Sequence, residues 1–176
     1  MADKKRSGDS YAYVKPRRDG QADAWSEESG KRGGQVLSEV AEVAPPADVA
    51  SKFGLATGEK AVVRRRIILL DGSPVELADS YYPLPVARGT ALAEKRKIKG
   101  GAPTLLAELG YRPRHVSEDL TFRPADEAER EGLELPPGSS VLTLLRTTTT
   151  AEGSLYEVQL MTMKAPRTLH YEIEVD

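Results

Sequence analysis

"VVRRRIILLDGSPVELADSYYPLP", Val62 to Pro85, holds two apolar runs of strand length on either side of an Asp-Gly pair. Asp-Gly between strand-like runs is a strong hairpin signal, because a two-residue turn needs positive φ at both central positions. The stretch is therefore read as an antiparallel hairpin turning at Asp71 and Gly72. Three arginines, Arg64 to Arg66, interrupt its first strand. A guanidinium among apolar residues needs a partner, since burying it unpaired is costly. If Leu70 lies opposite Ser73, a regular register puts Arg64 opposite Asp79 and Arg66 opposite Leu77. Arg64 then has a cross-strand ion pair, and Arg65 points to the other face and reaches solvent. Arg66 sits among Ile68, Val75 and Leu77 and must find its partner elsewhere. A bulge would exchange the faces.

Outward from the hairpin, the chain repeats itself. "PADVASKFGL" (Pro46 to Leu55) recurs as "PADEAEREGL" (Pro124 to Leu133), identical at Pro, Ala, Asp, Ala, Gly and Leu. Pro at the start and Gly at the stop mark each copy as a short helix. A strand-like run precedes each one, "QVLSEVAEV" and "RHVSEDLTF", and a hairpin follows each. The second hairpin joins "VLTLLRTTTT" to "LYEVQLMTM" through Glu152-Gly153. The unit of strand, helix and hairpin thus occurs twice, an internal duplication. Between the copies, "GGAPTLLAELGY" reads as another short helix, and "LHYEIEV" closes the chain as a strand. Tight hairpins make neighbours antiparallel, and helices must cover a sheet face. The fold class is α+β: one antiparallel sheet of about six strands with packed helices.

Composition sets the outer bounds. The 176 residues suit one domain, residues 35–176, preceded by a polar arm or linker over residues 1–34. In that arm "SYAYVKP" could add a short edge strand, and Trp25 is its candidate anchor. There are no cysteines, which excludes disulfides and thiolate metal sites. No metal-ligand spacing, P-loop or nucleophile elbow occurs, so no metal, no cofactor and no catalytic residue is assigned. Nor does any apolar run reach the ~20 residues of a membrane span, and no signal peptide opens the chain, so a cytoplasmic location is expected. The formal net charge of -2 argues against a nucleic-acid grip by this chain itself.

In the second hairpin Arg146 occupies the place that Arg66 holds in the first, and Glu157 follows on the partner strand. Two readings stand open. The arginines and glutamate form an internal network linking the halves, or they line a polar pocket between them.

The segments "VVRRRIILLDGSPVELADSYYPLP", "GGAPTLLAELGYRP", "RPADEAEREGLELPPGSSVLTLLRTTTTAEGSLYEVQLMTM" and "LHYEIEV" together resemble the UTRA domain, the effector-binding half of HutC-type regulators in the GntR family. The resemblance implies a chorismate-lyase-like fold and a small-molecule sensor that acts through the geometry of a homodimer. DNA would be contacted only indirectly, by a winged helix-turn-helix that is not seen in these residues. Carried over by position, the family's pocket residues fall at Arg66, Glu157 and, near the middle helix start, Thr104. A second family arginine falls at Ile68 and a pocket tyrosine at Met163, which favours a less charged, more apolar effector than a sugar phosphate. Asp79 and Arg146 complete the set of candidate effector-binding residues. A chorismate-lyase-like enzyme acting on a small aromatic acid, and a ligand-free dimerisation module, are the alternatives.

Overall fold

The computed structural model describes residues 7–8, 10–18 and 21–170. Its centre is a six-stranded antiparallel sheet in the order Gly33–Val43, Ala61–Leu70, Ser73–Pro83, Leu155–Lys164, Ser140–Thr149 and His115–Pro124. The first repeat supplies β2 (Gly33–Val43), helix α3 (Ala47–Phe53) and the hairpin β3 (Ala61–Leu70) and β4 (Ser73–Pro83). The second supplies β5 (His115–Pro124), α6 (Glu127–Gly132), β6 (Ser140–Thr149) and β7 (Leu155–Lys164). The strand order is therefore one three-stranded unit followed by its own reversal, with β4 and β7 paired at the centre. Two copies of one unit meet about a local two-fold at that pair.

Both repeat helices cover the same face. Val49 of α3 packs with Val63, Tyr81 and Val158, and Leu133, just after α6, packs with Val141 and Leu77. Gly54 ends α3 in the left-handed conformation at φ 67°, which costs glycine little. α6 opens with a capping box between Asp126 and Glu129.

The opposite face carries α4 (Leu84–Ala87) and α5 (Ala102–Glu108), which pack on Val62 and Tyr82. It also carries α1 (Ser10–Val14) and α2 (Ala24–Ser29) from the N-terminal segment. This segment departs from the sequence expectation: "SYAYV" is helical, and Trp25 is core. Trp25 packs with Ile68, Ala78, Leu144, Met161 and Met163. Its indole N–H donates to the carbonyls of Gly34 and Leu69 at 3.1 and 3.2 Å. A second, two-stranded sheet pairs β1 (Ser7–Gly8) with β8 (Thr168–Leu169) in parallel. The rest of "LHYEIEV" beyond His170 lies outside the described residues.

The first hairpin turns where expected, with Leu70 opposite Ser73 and Asp71 at φ 49°. Its register then departs from the regular one. Leu69 pairs with Pro74 but Ile68 pairs with Glu76, so Val75 is an extra residue in β4. Pro74 has no N–H for the ladder, and a bulge beside it is where a strand accommodates that loss. Beyond the bulge, every partner moves by one: Arg65 faces Asp79, Arg64 faces Ser80 and Arg66 faces Ala78. The second hairpin is also looser than a two-residue turn, running from Thr149 to Leu155.

Candidate functional site

The bulge assigns the three arginines three different jobs. Arg65 lies on the α3/α6 face and bonds Asp79 at 3.1 Å and Glu39. Asp79 also accepts from the Tyr81 hydroxyl at 3.2 Å. The predicted Arg64–Asp79 pair is therefore replaced by Arg65–Asp79, and Asp79 is turned away from the other candidates. Arg64 is buried and binds no acid among the described residues. Its guanidinium donates to the carbonyls of Ala91, Leu92, Glu94 and Arg96 at 2.8–3.1 Å, fastening the loop after α4 to the sheet.

Arg66 shares the α1/α2 face with Ser80, Tyr82, Arg146, Glu157 and Gln159, and all six line one cavity of about 130 Å³. A second lobe of about 420 Å³ shares Arg66, Ser80, Tyr82, Trp25 and Gln35 with it and extends toward Ile98. The cavity is polar in its middle because one cross-strand row of the sheet is polar throughout. Arg64, Ser80, Gln159, Arg146 and Glu118 are successive partners across β3, β4, β7, β6 and β5. Apolar clusters bound this row on both sides, around Tyr82 and around Ala78.

Hydrogen bonds tie most of the row together. Arg146 Nε donates to Glu118 at 2.6 Å and its Nη1 to the Gln159 carbonyl at 3.0 Å. Gln159 Nε2 donates to Ser80 Oγ at 3.2 Å. Arg66 Nη2 also donates to Ser80 Oγ, at 3.1 Å, and this is its one hydrogen bond among the described residues. So Arg146 has a carboxylate and Arg66 has none.

Two carboxylates complete the cavity. Glu157, 4% exposed, accepts from the Tyr82 hydroxyl at 2.8 Å. Burial pushes its carboxyl above the usual range, against the pull of Tyr82, Arg146 and Arg66. Burial likewise raises Glu76, which the Arg167, Arg66 and Arg146 charges counter only in part. Glu76 forms no hydrogen bond or ion pair among the described residues. The local two-fold relates these groups: Arg66 to Arg146, and Glu76 to Glu157. Tyr82 is raised well above its normal value, first by burial and then by Glu157, so it stays a neutral donor.

The N-terminal segment roofs this site. Tyr13, Lys15, Arg17, Asp23 and Trp25 all contribute to the cavity wall. Thr104 holds that roof rather than lining the cavity: its hydroxyl accepts from the Arg17 backbone N–H at 3.0 Å and donates to the Gly100 carbonyl at 2.8 Å. Met163 lies in the Trp25 cluster, and its neighbour on the same face, Met161, reaches the cavity. The structure thus gathers Arg66, Arg146 and Glu157, places Thr104 and Met163 beside them, and removes Asp79. Glu76, Ser80, Tyr82 and Gln159 were not among the candidate effector-binding residues expected from sequence. Glu76 could have been found only with the Val75 bulge in hand.

Among the described residues no helix is long and apolar enough to cross a membrane, and no group of His, Asp or Glu is placed to hold a metal ion.

Comparison with known proteins agrees with this architecture. The profile of the UTRA domain matches residues 28–168. An uncharacterized HTH-type transcriptional regulator of Streptomyces coelicolor is 29% identical over 155 residues, covering 86% of this chain and 55% of the relative. The chain therefore spans about half the length of that curated relative. The ligand-binding domain of a GntR-family transcriptional regulator from Bordetella bronchiseptica superposes with a TM-score of 0.68 at 23% identity, covering 92% of this chain and 94% of that one. The effector domain of PhnF from Mycobacterium smegmatis does so with a TM-score of 0.71 at 15% identity, over 92% and 99%.

Proposed function

The chain belongs to the UTRA domain family, and from that premise we propose that it is the effector-binding sensor domain of a GntR/HutC-type transcription regulator. The observation that carries this reading is Arg66, a guanidinium in a central cavity whose one hydrogen bond among the described residues goes to a serine. An internal network would have given it a carboxylate, as it gave Glu118 to Arg146. A ligand acceptor group supplies what Arg66 lacks. Gln159, Tyr82 and Glu157 present further donors and acceptors to the same ligand, and Arg146 is positioned behind them.

The roof gives the signal a route. Residues Ala12, Tyr13, Lys15 and Arg17, with Asp23, Ala24 and Trp25, form one wall of the cavity, and Arg17 is fastened to Thr104 of α5. A ligand that changes the cavity's contents changes what this segment packs on, and so biases the geometry of anything joined to it. DNA is then controlled indirectly, through a homodimer in the cytoplasm, and the sheet site performs no chemistry.

The test is a thermal-shift screen against a metabolite panel with Arg66→Ala in parallel. A ligand at about 100 times its Kd adds about 2.7 kcal/mol, which raises the midpoint by roughly 5–10 °C. The expected result is a shift in the wild type that Arg66→Ala abolishes while still folding. Absence of any shift across the panel would overturn the sensor reading.

A further inference from the structure

The charges that face the cavity do not cancel. Arg146 is matched by Glu118 at 2.6 Å, and Arg17 by Glu27 at 2.5 Å. Arg167 stands 3.6 Å from Glu28, which also accepts from the Tyr13 hydroxyl. Of the rim groups, Asp23 caps the α2 N-terminus and Lys15 lies over the Tyr11 ring. What remains is one guanidinium, Arg66, against two carboxylates, Glu76 and Glu157, with the Arg167 charge shared between Glu28 and Glu76. Glu157 has a neutral donor on one oxygen, and Glu76 has no hydrogen-bonding partner among the described residues.

The surroundings of Glu76 sharpen the requirement. Across the strands it faces Ile68 and Met163, and its end of the cavity is walled by Tyr13, Trp25, Ile68, Ala78 and Met161. Two aromatic rings, an apolar floor and one carboxylate suit an organic ammonium group, which gains from the carboxylate by charge and from the rings by cation–π attraction. A phosphate ester brings about two further negative charges beside two carboxylates that are offset by Arg66 and by an Arg167 shared with Glu28, and like charges in a buried site repel.

We infer that the effector is an amine-bearing small molecule, its ammonium received by Glu76 between Tyr13 and Trp25 and an acceptor group held by Arg66. This rests on the sensor reading above and narrows its ligand class. The register supports the span such a molecule bridges: Arg66 sits opposite Ala78, two residues along β4 from Glu76, so both ends of a compact zwitterion are reachable at once. Glu157 and Tyr82, on the other side of the polar row, then read the body of the molecule.

The experiment is a thermal-shift and calorimetric series on the full chain with probes that differ in charge. Ammonium-bearing probes are the proteinogenic amino acids, tyramine and putrescine. The comparison probes are 3-(4-hydroxyphenyl)propionate, glucose and glucose 6-phosphate. Stabilisation by one or more ammonium-bearing probes, with none from the comparison set, is expected. Glu76→Gln should weaken the best amine roughly tenfold or more, as expected for loss of a charge-assisted contact. The same variant should fold at least as well as wild type without ligand, because it removes a buried charge. Stabilisation by the acid, the sugar or the phosphate ester in place of the amines would overturn the amine assignment and leave the sensor reading standing. Unchanged amine binding in Glu76→Gln would overturn the role of Glu76. Silence from every probe and from the wider metabolite panel would remove both.

Discussion

Arg64, Arg65 and Arg66 are adjacent in sequence and identical in chemistry, and their surroundings alone separate them. Arg64 is enclosed and saturated by four carbonyls, a use that suits the fixed fork of a guanidinium and not the point charge of lysine. Arg64→Met should cost about 3 kcal/mol in urea unfolding, since several buried carbonyls lose charged donors together. Arg66→Ala should cost about 1 kcal/mol, the loss of one hydrogen bond. Equal costs for the two variants would show that Arg66 is a structural latch after all. The sequence identified Arg66 as the arginine in need of a partner. The route was wrong in detail, because the register used for it paired Arg64 with Asp79. Arg66 stands out in both registers because neither places an acid opposite it.

At the scale of elements, α6 shows how local chemistry and tertiary contact share a residue. Glu129 closes the capping box with Asp126, pairs with Arg123 at 2.6 Å and accepts from the Thr162 hydroxyl at 3.1 Å. Its carboxyl is held below the usual range, first by the hydrogen bond from Arg123, with burial opposing. A depressed carboxylate contributes stability that is complete above its unfolded value, near 4.3, and is lost as pH falls through its folded value. Glu129→Ala should therefore cost about 2 kcal/mol at pH 7, from the lost cap and the partly exposed pair together. The gap to wild type should close as the pH falls below about 4. A gap that stayed constant down to pH 3 would mean that packing, not charge, holds Glu129. "PADEAEREG" announced this helix and its start. The contacts with Arg123 and Thr162 come from separate strands and were not legible. The β4 bulge belongs to this scale as well: Pro74 was in plain sight, but whether the ladder absorbs it by ending or by bulging depends on the neighbouring strands.

The main sheet is two copies of one unit joined at β4 and β7, which leaves β2 and β5 as its edges among the described residues. Along β5, Val116, Leu120 and Phe122 are 39%, 41% and 69% exposed, an unusual amount of apolar surface on an unpaired edge. A second copy of the chain is the proposed cover, since an antiparallel edge can pair with itself about a two-fold axis. Light scattering should find a dimer for the wild type and a monomer for Phe122→Lys. A wild-type monomer at all concentrations would remove the dimer from the mechanism. At this scale the N-terminal segment also changes standing. Its polar composition suggested an arm, yet Trp25 and Tyr13 pack on the sheet and wall the cavity.

The sequence by itself determined the duplication, the six strands of the main sheet, the three short helices after β2, before β5 and after β5, and the class of fold. These follow from periodicity, turn residues and helix stops, all of which act within about ten residues. Tertiary structure alone decided which face each arginine takes, that Glu76 joins Arg66 and Glu157, and that the N-terminal segment closes the site. The reason is physical: facing in a strand alternates with every residue, so a single bulge at Val75 reassigns all the side chains beyond it. A roof over a cavity depends on surfaces brought together from distant parts of the chain.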